Sequence, residues 1–219
     1  MTKYNEKGII GEYHFSYGVD NVNRTALINH LLQKYNLRTY LEIGVRNPND
    51  NFNLIKTNSK IGVDPNPLIK LNNIRIQTSD EFFDTISVND KFDIIFIDGL
   101  HLEYQCTKDI ENSLRHLNDN GFILLHDCNP PSEKHQIEYY DGKSPWNGTV
   151  WKSLARLRMS NPNVEIKTVN TDTGVGIITK RQNGNILLEK ETNLNWEYLC
   201  KNRNSVLNLI SVDDFLSFY

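Results

Sequence analysis

What the chain lacks narrows its class first. Only three cysteines (Cys106, Cys128, Cys200) occur in 219 residues, too few and too scattered for a disulfide frame or a zinc knuckle. No apolar stretch reaches the roughly 20 residues of a membrane-spanning helix. The opening residues, MTKYNEKGIIGEYHF, contain no apolar core of a signal peptide. There is no Lys/Arg run and the net charge is -3, so nothing marks a nucleic-acid surface. No internal repeat or low-complexity segment interrupts the chain. These absences lead to the expectation of a cytoplasmic protein that uses neither membrane nor nucleic acid. Charged residues at 23% and hydrophobic residues at 38% suit a globular chain with a single core.

What is present is an alternation of short apolar strands and amphipathic helices. Residues 92–97 (FDIIFI) form a continuous apolar run, the pattern of a strand buried on both faces of a parallel sheet. Similar strands are expected at residues 39–45, 60–65, 74–77, 121–127, 164–169 and 174–179. Helices are expected over 24–35, 79–86 (Ser79 as N-cap), 107–117 and 149–159. The four-residue link 170–173 is too short for a parallel crossover, so the last two strands should pair antiparallel. The expected fold is therefore α/β, Rossmann-like, with a seven-stranded, mostly parallel sheet, a closing antiparallel strand and helices on both faces. Residues 128–147 read as a long loop, 186–219 as helical and loosely attached. Tyr13, His14, Phe15 and Tyr17 form an aromatic stretch that either covers a ligand or packs at the domain edge.

Polar residues gather at the ends of the strands, where open α/β sheets bind ligands. Glu42 and Gly44 end the first strand, and that turn can offer backbone N–H groups. Asp64 ends the second about twenty residues later, where a carboxylate can accept both hydroxyls of a ribose. Asp80 opens the next helix; it either meets an adenine amino group or simply complements the helix dipole. Asp98 and His101 follow the fourth strand, and His126-Asp127 ends the fifth. The first turn has one glycine where a dinucleotide fingerprint needs G-x-G-x-x-G, which favours a nucleoside cofactor without a pyrophosphate.

With these residues in place, the chain resembles the class I S-adenosylmethionine-dependent methyltransferases. The likeness rests on Tyr40-Leu41-Glu42-Ile43-Gly44-Val45, Ile61-Gly62-Val63-Asp64-Pro65, residues 92–101, residues 121–127 and the turn Thr171-Asp172-Thr173-Gly174-Val175-Gly176. Ile97-Asp98-Gly99-Leu100-His101, Leu125-His126-Asp127 and Trp146-Asn147-Gly148-Thr149-Val150-Trp151 are similar to bacterial enzymes that methylate sugars and other small polar metabolites. The resemblance implies S-adenosylmethionine as cofactor, held by Glu42, Gly44, Asp64 and Asp80 with Asp98 beside it. It implies a sugar or surface-polysaccharide precursor as acceptor, methylated at a hydroxyl or amine, and His101 as general base with Asp98. In metal-dependent relatives, acids matching Asp98 and Asp127 bind magnesium. Two features depart from the pattern: the first turn lacks a second glycine, and His126 stands where some relatives carry an acid, although magnesium prefers oxygen ligands.

The expected organisation is an N-terminal lid or helical segment (1–37), a cofactor-binding methyltransferase domain (38–180) and a C-terminal helical extension (181–219). Two alternatives stay open: an NAD-linked oxidoreductase on a similar sheet, and an inactive nucleoside-binding protein. The sequence leaves open whether the chain forms a homo-oligomer.

Overall fold

A computed structural model describes residues 22–140, 142, 145–182, 184, 186–187 and 193–219. The aromatic stretch 13–17 lies outside the described residues. Helix α1 (Arg24–Lys34) precedes β1 (Thr39–Ile43), β2 (Ser59–Val63), β3 (Ile74–Arg75), α2 (Ser79–Thr85), β4 (Phe92–Ile97), α3 (Glu103–His116) and β5 (Leu117–Leu125). Then come α4 (Val150–Ser160), β6 (Val164–Val169), β7 (Val175–Lys180), α5 (Trp196–Leu207), β8 (Leu209–Ile210) and α6 (Val212–Phe218).

The strands form one sheet in the order β3-β2-β1-β4-β5-β7-β6-β8. The first five pair parallel, and β7 runs antiparallel between β5 and β6. The chain winds outward from β1 to β3, then returns to place β4 on the other side of β1. That reversal lies at the carboxyl ends of β1 and β4, the place where folds of this kind bind ligands. Ile94, Ile95 and Phe96 are fully buried, as the apolar run requires when helices cover both faces. Leu41, Ile95, Ile110 and Leu154 pack in the layer with α3 and α4, while Leu27, Leu31, Tyr40, Phe96 and Phe215 pack in the layer with α1 and α6.

Three details differ from the sequence expectation. The cap of α2 is Thr78: its hydroxyl accepts the Glu81 N–H, and the Glu81 carboxylate accepts the Thr78 N–H in return. This reciprocal box satisfies two otherwise orphan donors, which Ser79 cannot do from inside the helix. The sheet has an eighth strand, because Leu209 and Ile210 pair parallel with Thr168 and Val169. The C-terminal segment is firmly packed, with Leu199, Val206, Leu207 and Phe215 fully buried. Among the described residues, no helix is long and apolar enough to cross a membrane.

Candidate active site

The turn after β1 begins at Gly44, whose φ of +87° lies in the left-handed region. A methyl group there would sit 2.1 Å from the Asp98 carbonyl oxygen, so only glycine lets the β1 turn touch the end of β4. Arg46, at φ +43°, also adopts a left-handed conformation, which explains how the turn forms without a second glycine. Its N–H donates to Asp64 Oδ2 at 2.8 Å, and the Asn66 N–H donates to Asp64 Oδ1 at 2.7 Å. Each carboxylate oxygen keeps a further lone pair. Asp64 thus ties the β1 and β2 turns together and retains acceptors for a ligand.

Glu42 points beneath this turn. Its Oε2 accepts from Tyr40 Oη at 2.5 Å and Asn51 Nδ2 at 2.9 Å, and Asn51 accepts in turn from Thr25 at 2.7 Å. Asp80 lies apart, at the start of α2. Lys108 Nζ donates to it at 2.6 Å and Gln105 Nε2 at 3.0 Å, and these bonds hold its carboxyl below the usual range. The structure therefore packs Gly44 against Asp98, ties Asp64 to the turn after Gly44, and gives Glu42 and Asp80 protein partners of their own.

The ends of β4 and β5 meet in a ring of charged groups. Asp98 Oδ1 lies 3.2 Å from His101 Nε2 and 3.3 Å from His126 Nδ1. Asp127 Oδ2 lies 3.3 Å from His101 Nδ1 and 3.2 Å from His126 Nδ1. Each carboxylate thus stands between two imidazoles. Asp127 has φ +59°, an unfavourable conformation of the kind that clusters at functional sites. Thr173 Oγ1 at 2.6 Å and Asn147 Nδ2 at 2.8 Å both donate to its Oδ1, which turns Oδ2 toward the ring.

His101 is clamped by the returning long loop. Its Nδ1 donates to the Trp146 carbonyl at 2.9 Å, and the two rings stack at 5.2 Å and 22°. Thr149 N–H donates to the His101 carbonyl at 2.8 Å, and Gly148 packs where any Cβ would strike that same oxygen. The Thr149 hydroxyl accepts the Glu103 N–H at 2.7 Å, standing in for the cap that Leu102 lacks. Helix α3 therefore starts at Glu103, four residues before the position the sequence suggests.

Residues 25–128 match a family profile described as a methyltransferase domain. The fold agrees with solved structures. A methyltransferase of Podospora anserina, bound to SAH, superposes with TM-score 0.53 at 15% identity, over 73% of this chain and 78% of that one. An O-methyltransferase of Bacillus cereus, in complex with SAH, superposes with TM-score 0.51 at 16% identity, over 74% and 84%. No curated protein matches the sequence. Residues 25–128, just under half of the chain, are thus similar to a methyltransferase domain, on a fold shared with SAH-bound methyltransferases.

The ring extends to groups that the sequence did not flag. Arg24, the first residue of α1, places Nη1 3.0 Å from Asp172 Oδ2 and 3.4 Å from His126 Nε2. Asp172 Oδ1 lies 3.5 Å from the same His126 nitrogen. Arg24 and Asp172 are 148 residues apart, so no local period reveals them; the one available signal was the polar turn Thr171-Asp172-Thr173 before β7. Burial alone would raise the Asp98 pKa, but the two imidazoles reverse it and hold the carboxyl well below the usual range. Burial likewise works to lower both histidines, and the surrounding carboxylates outweigh it, so both are raised.

The protein also buries an acid away from this ring. Burial pushes the Glu42 carboxyl up to about 8, against the opposing hydrogen bonds from Tyr40 and Asn51. A carboxyl with a raised folded pKa stabilises the protein fully below its ordinary value of 4.5, and that contribution is lost as pH rises toward 8. Glu42→Gln keeps an acceptor for both donors and removes the ionisation. The variant's melting temperature should rise relative to the native protein across this window, by up to about 1.4 kcal/mol of stability per pH unit. Parallel melting curves at pH 5 and pH 8 check this; a difference independent of pH would show that Glu42 is ionised throughout.

Proposed function

We propose that the protein is an O-methyltransferase that moves the methyl group of S-adenosylmethionine to a hydroxyl of a small polar acceptor, a sugar or surface-polysaccharide precursor. The observation that carries this reading is His101. Its Nδ1–H is committed to the Trp146 carbonyl, and the neighbouring carboxylates favour a further proton on Nε2; once that proton is released, the neutral ring keeps its proton on Nδ1 and offers Nε2 beside Asp98. That is the tautomer of a general base for a hydroxyl. As the acceptor oxygen attacks the methyl carbon, the C–S bond breaks, S-adenosylhomocysteine leaves as a neutral sulfide, and the proton passes to Nε2. Asp98 at 3.2 Å stabilises the resulting imidazolium. Catalysis beyond this is positioning.

The cofactor is read onto the β1–β2 side, with its ribose on Asp64, Gly44 giving close backbone approach, Glu42 supporting the turn from below and Asp80 near the adenine end. On the other side, Trp146 stacks between His101 and Tyr140, the latter at 5.3 Å and 25°. Tyr140 at the end of this stack is half exposed, a ring that suits the C–H face of a ring acceptor.

The donor set also fits a divalent ion. Asp98, His101 and Asp127 offer ligand atoms within 4.8 Å of one another. With neutral histidines, the carboxylates of Asp98, Asp127 and Asp172 face one guanidinium, leaving a net charge that a divalent cation cancels. Asp98 and Asp127 would hold the ion, which would supply Lewis-acid polarisation of the acceptor hydroxyl.

Transfer of an isotope-labelled methyl group from S-adenosylmethionine to a panel of sugars and nucleotide sugars tests the reading. Transfer to oxygen, abolished by EDTA and restored by a divalent metal, is expected. Full activity in EDTA would leave Asp98 and Asp127 as orienting acids, and transfer only to amines would remove the O-methylation reading.

A further inference from the structure

We propose that Arg203, on α5, is a positioning residue of the transfer reaction: it clamps the chain just after β5 so that Asp127 keeps its carboxylate in the ring. The inference rests on the O-methyltransferase reading above and adds to it a residue beyond the matched segment 25–128. Arg203 is 1% exposed. Its Nη1 donates to Asn129 Oδ1 and, at 2.8 Å, to the Pro130 carbonyl. Its guanidinium carbon stands 5.1 Å from the centre of the Trp196 ring. A long side chain buried this deeply gives up its rotamer freedom and its hydration. Here both are committed to one short stretch of chain, two and three residues after Asp127.

Asn129 links the clamp to the site. It is fully buried. Its N–H donates to the Thr173 carbonyl at 2.8 Å, and the Cys128 N–H donates to the Gly174 carbonyl at 2.9 Å. Its Nδ2 donates to Asn170 Oδ1 at 3.1 Å. These bonds zip residues 128–129 onto the turn before β7, the same turn whose Thr173 hydroxyl donates to Asp127 Oδ1. Gly174, at φ +90°, makes the fit possible, because a Cβ there would lie 2.4 Å from Asn129 Cβ. Asp127 itself sits at φ +59°, a conformation that persists only where its surroundings enforce it. The support behind Arg203 is firm. Leu199, Val206 and Leu207 of α5 pack with Trp151 and Ala155 of α4. Arg158 Nη1 donates to the Ser205 carbonyl and, at 2.7 Å, to the Val206 carbonyl, acceptors that the end of a helix leaves without partners of its own. The C-terminal segment thereby reaches the residue that completes the ring.

The test compares the full chain with Arg203→Met, which keeps an apolar stem and removes the donors. Amide hydrogen exchange at Cys128 and Asn129 should quicken roughly tenfold or more, as expected when a hydrogen bond to a charged group is lost. The amides of Ile94, Ile95 and Phe96 should exchange as in the native protein. On the best acceptor of the sugar panel, kcat should fall on the order of 10–100-fold, the scale of a group misplaced by about 1 Å. The KM for S-adenosylmethionine and the affinity for S-adenosylhomocysteine should stay within about twofold, because the β1 and β2 turns are untouched by the clamp. Unchanged exchange at residues 128 and 129, faster exchange spread through β4, unchanged kcat, or cofactor affinity falling with the rate would overturn the inference. If Arg203→Met fails to fold, Arg203→Lys keeps the charge, ends one bond short of Asn129 and carries the same comparison. A native protein that neither binds S-adenosylhomocysteine nor transfers a methyl group strikes the methyltransferase reading itself. A native transferase whose Arg203→Met variant is equally active defeats this inference alone.

Discussion

His101→Ala should lower turnover by about 10²–10⁴-fold, the usual contribution of a general base, with cofactor affinity changed little. The expectation follows from the clamp. Trp146, Gly148 and Thr149 fix the imidazole from the long loop, and Asp98 faces its Nε2. Removing the ring leaves the turns at Gly44 and Asp64 intact. Single-turnover rates of the native enzyme and the variant on the same acceptor make the comparison. A variant that keeps near-normal turnover would take the proton transfer away from His101 and return that residue to a packing role against Trp146.

Gly44→Ala should be a severely damaging single-methyl change. A left-handed backbone at an alanine costs about 1–2 kcal/mol. The added methyl would lie 2.1 Å from the Asp98 carbonyl oxygen and 2.6 Å from Gly99 Cα, backbone atoms that cannot swing aside, and such overpacking adds about 1–3 kcal/mol. The only relief is to push β1 and β4 apart at the point where their turns meet. Stability and cofactor affinity should therefore fall together, read by a melting curve and a cofactor titration on the same preparation. An alanine variant with native melting temperature and affinity would show that the two turns do not touch.

The sequence made the sheet legible because its central strands are buried on both sides. Ile94, Ile95 and Phe96 have no exposed surface, and a run of apolar residues is the direct imprint of that environment. The strand-end acids were legible for a related reason: Asp64, Asp98 and Asp127 interrupt apolar runs where a buried charge needs a purpose. Elements set by partners elsewhere were not. Leu209-Ile210 is too short to carry a period and becomes a strand only by pairing with β6. Helix α3 begins at Glu103 because a hydroxyl 46 residues away caps it. The role of Arg24 appears only when α1 is laid beside the β6–β7 turn, and His126 reads as a simple departure from an acid until Asp172 is seen behind it. The tertiary fold, not local sequence, assembles that half of the site.

The central claim is that the cofactor site lies at the carboxyl ends of β1 and β4, with Asp64 on the ribose. Calorimetric titration of S-adenosylhomocysteine into the full chain tests it most directly. One binding event is expected, weakened in Asp64→Ala by roughly 1.5–3 kcal/mol, the range for hydrogen bonds to a charged group, in a variant whose melting curve confirms folding. Absence of binding by the native protein, or equal affinity in a folded Asp64→Ala, would contradict the account.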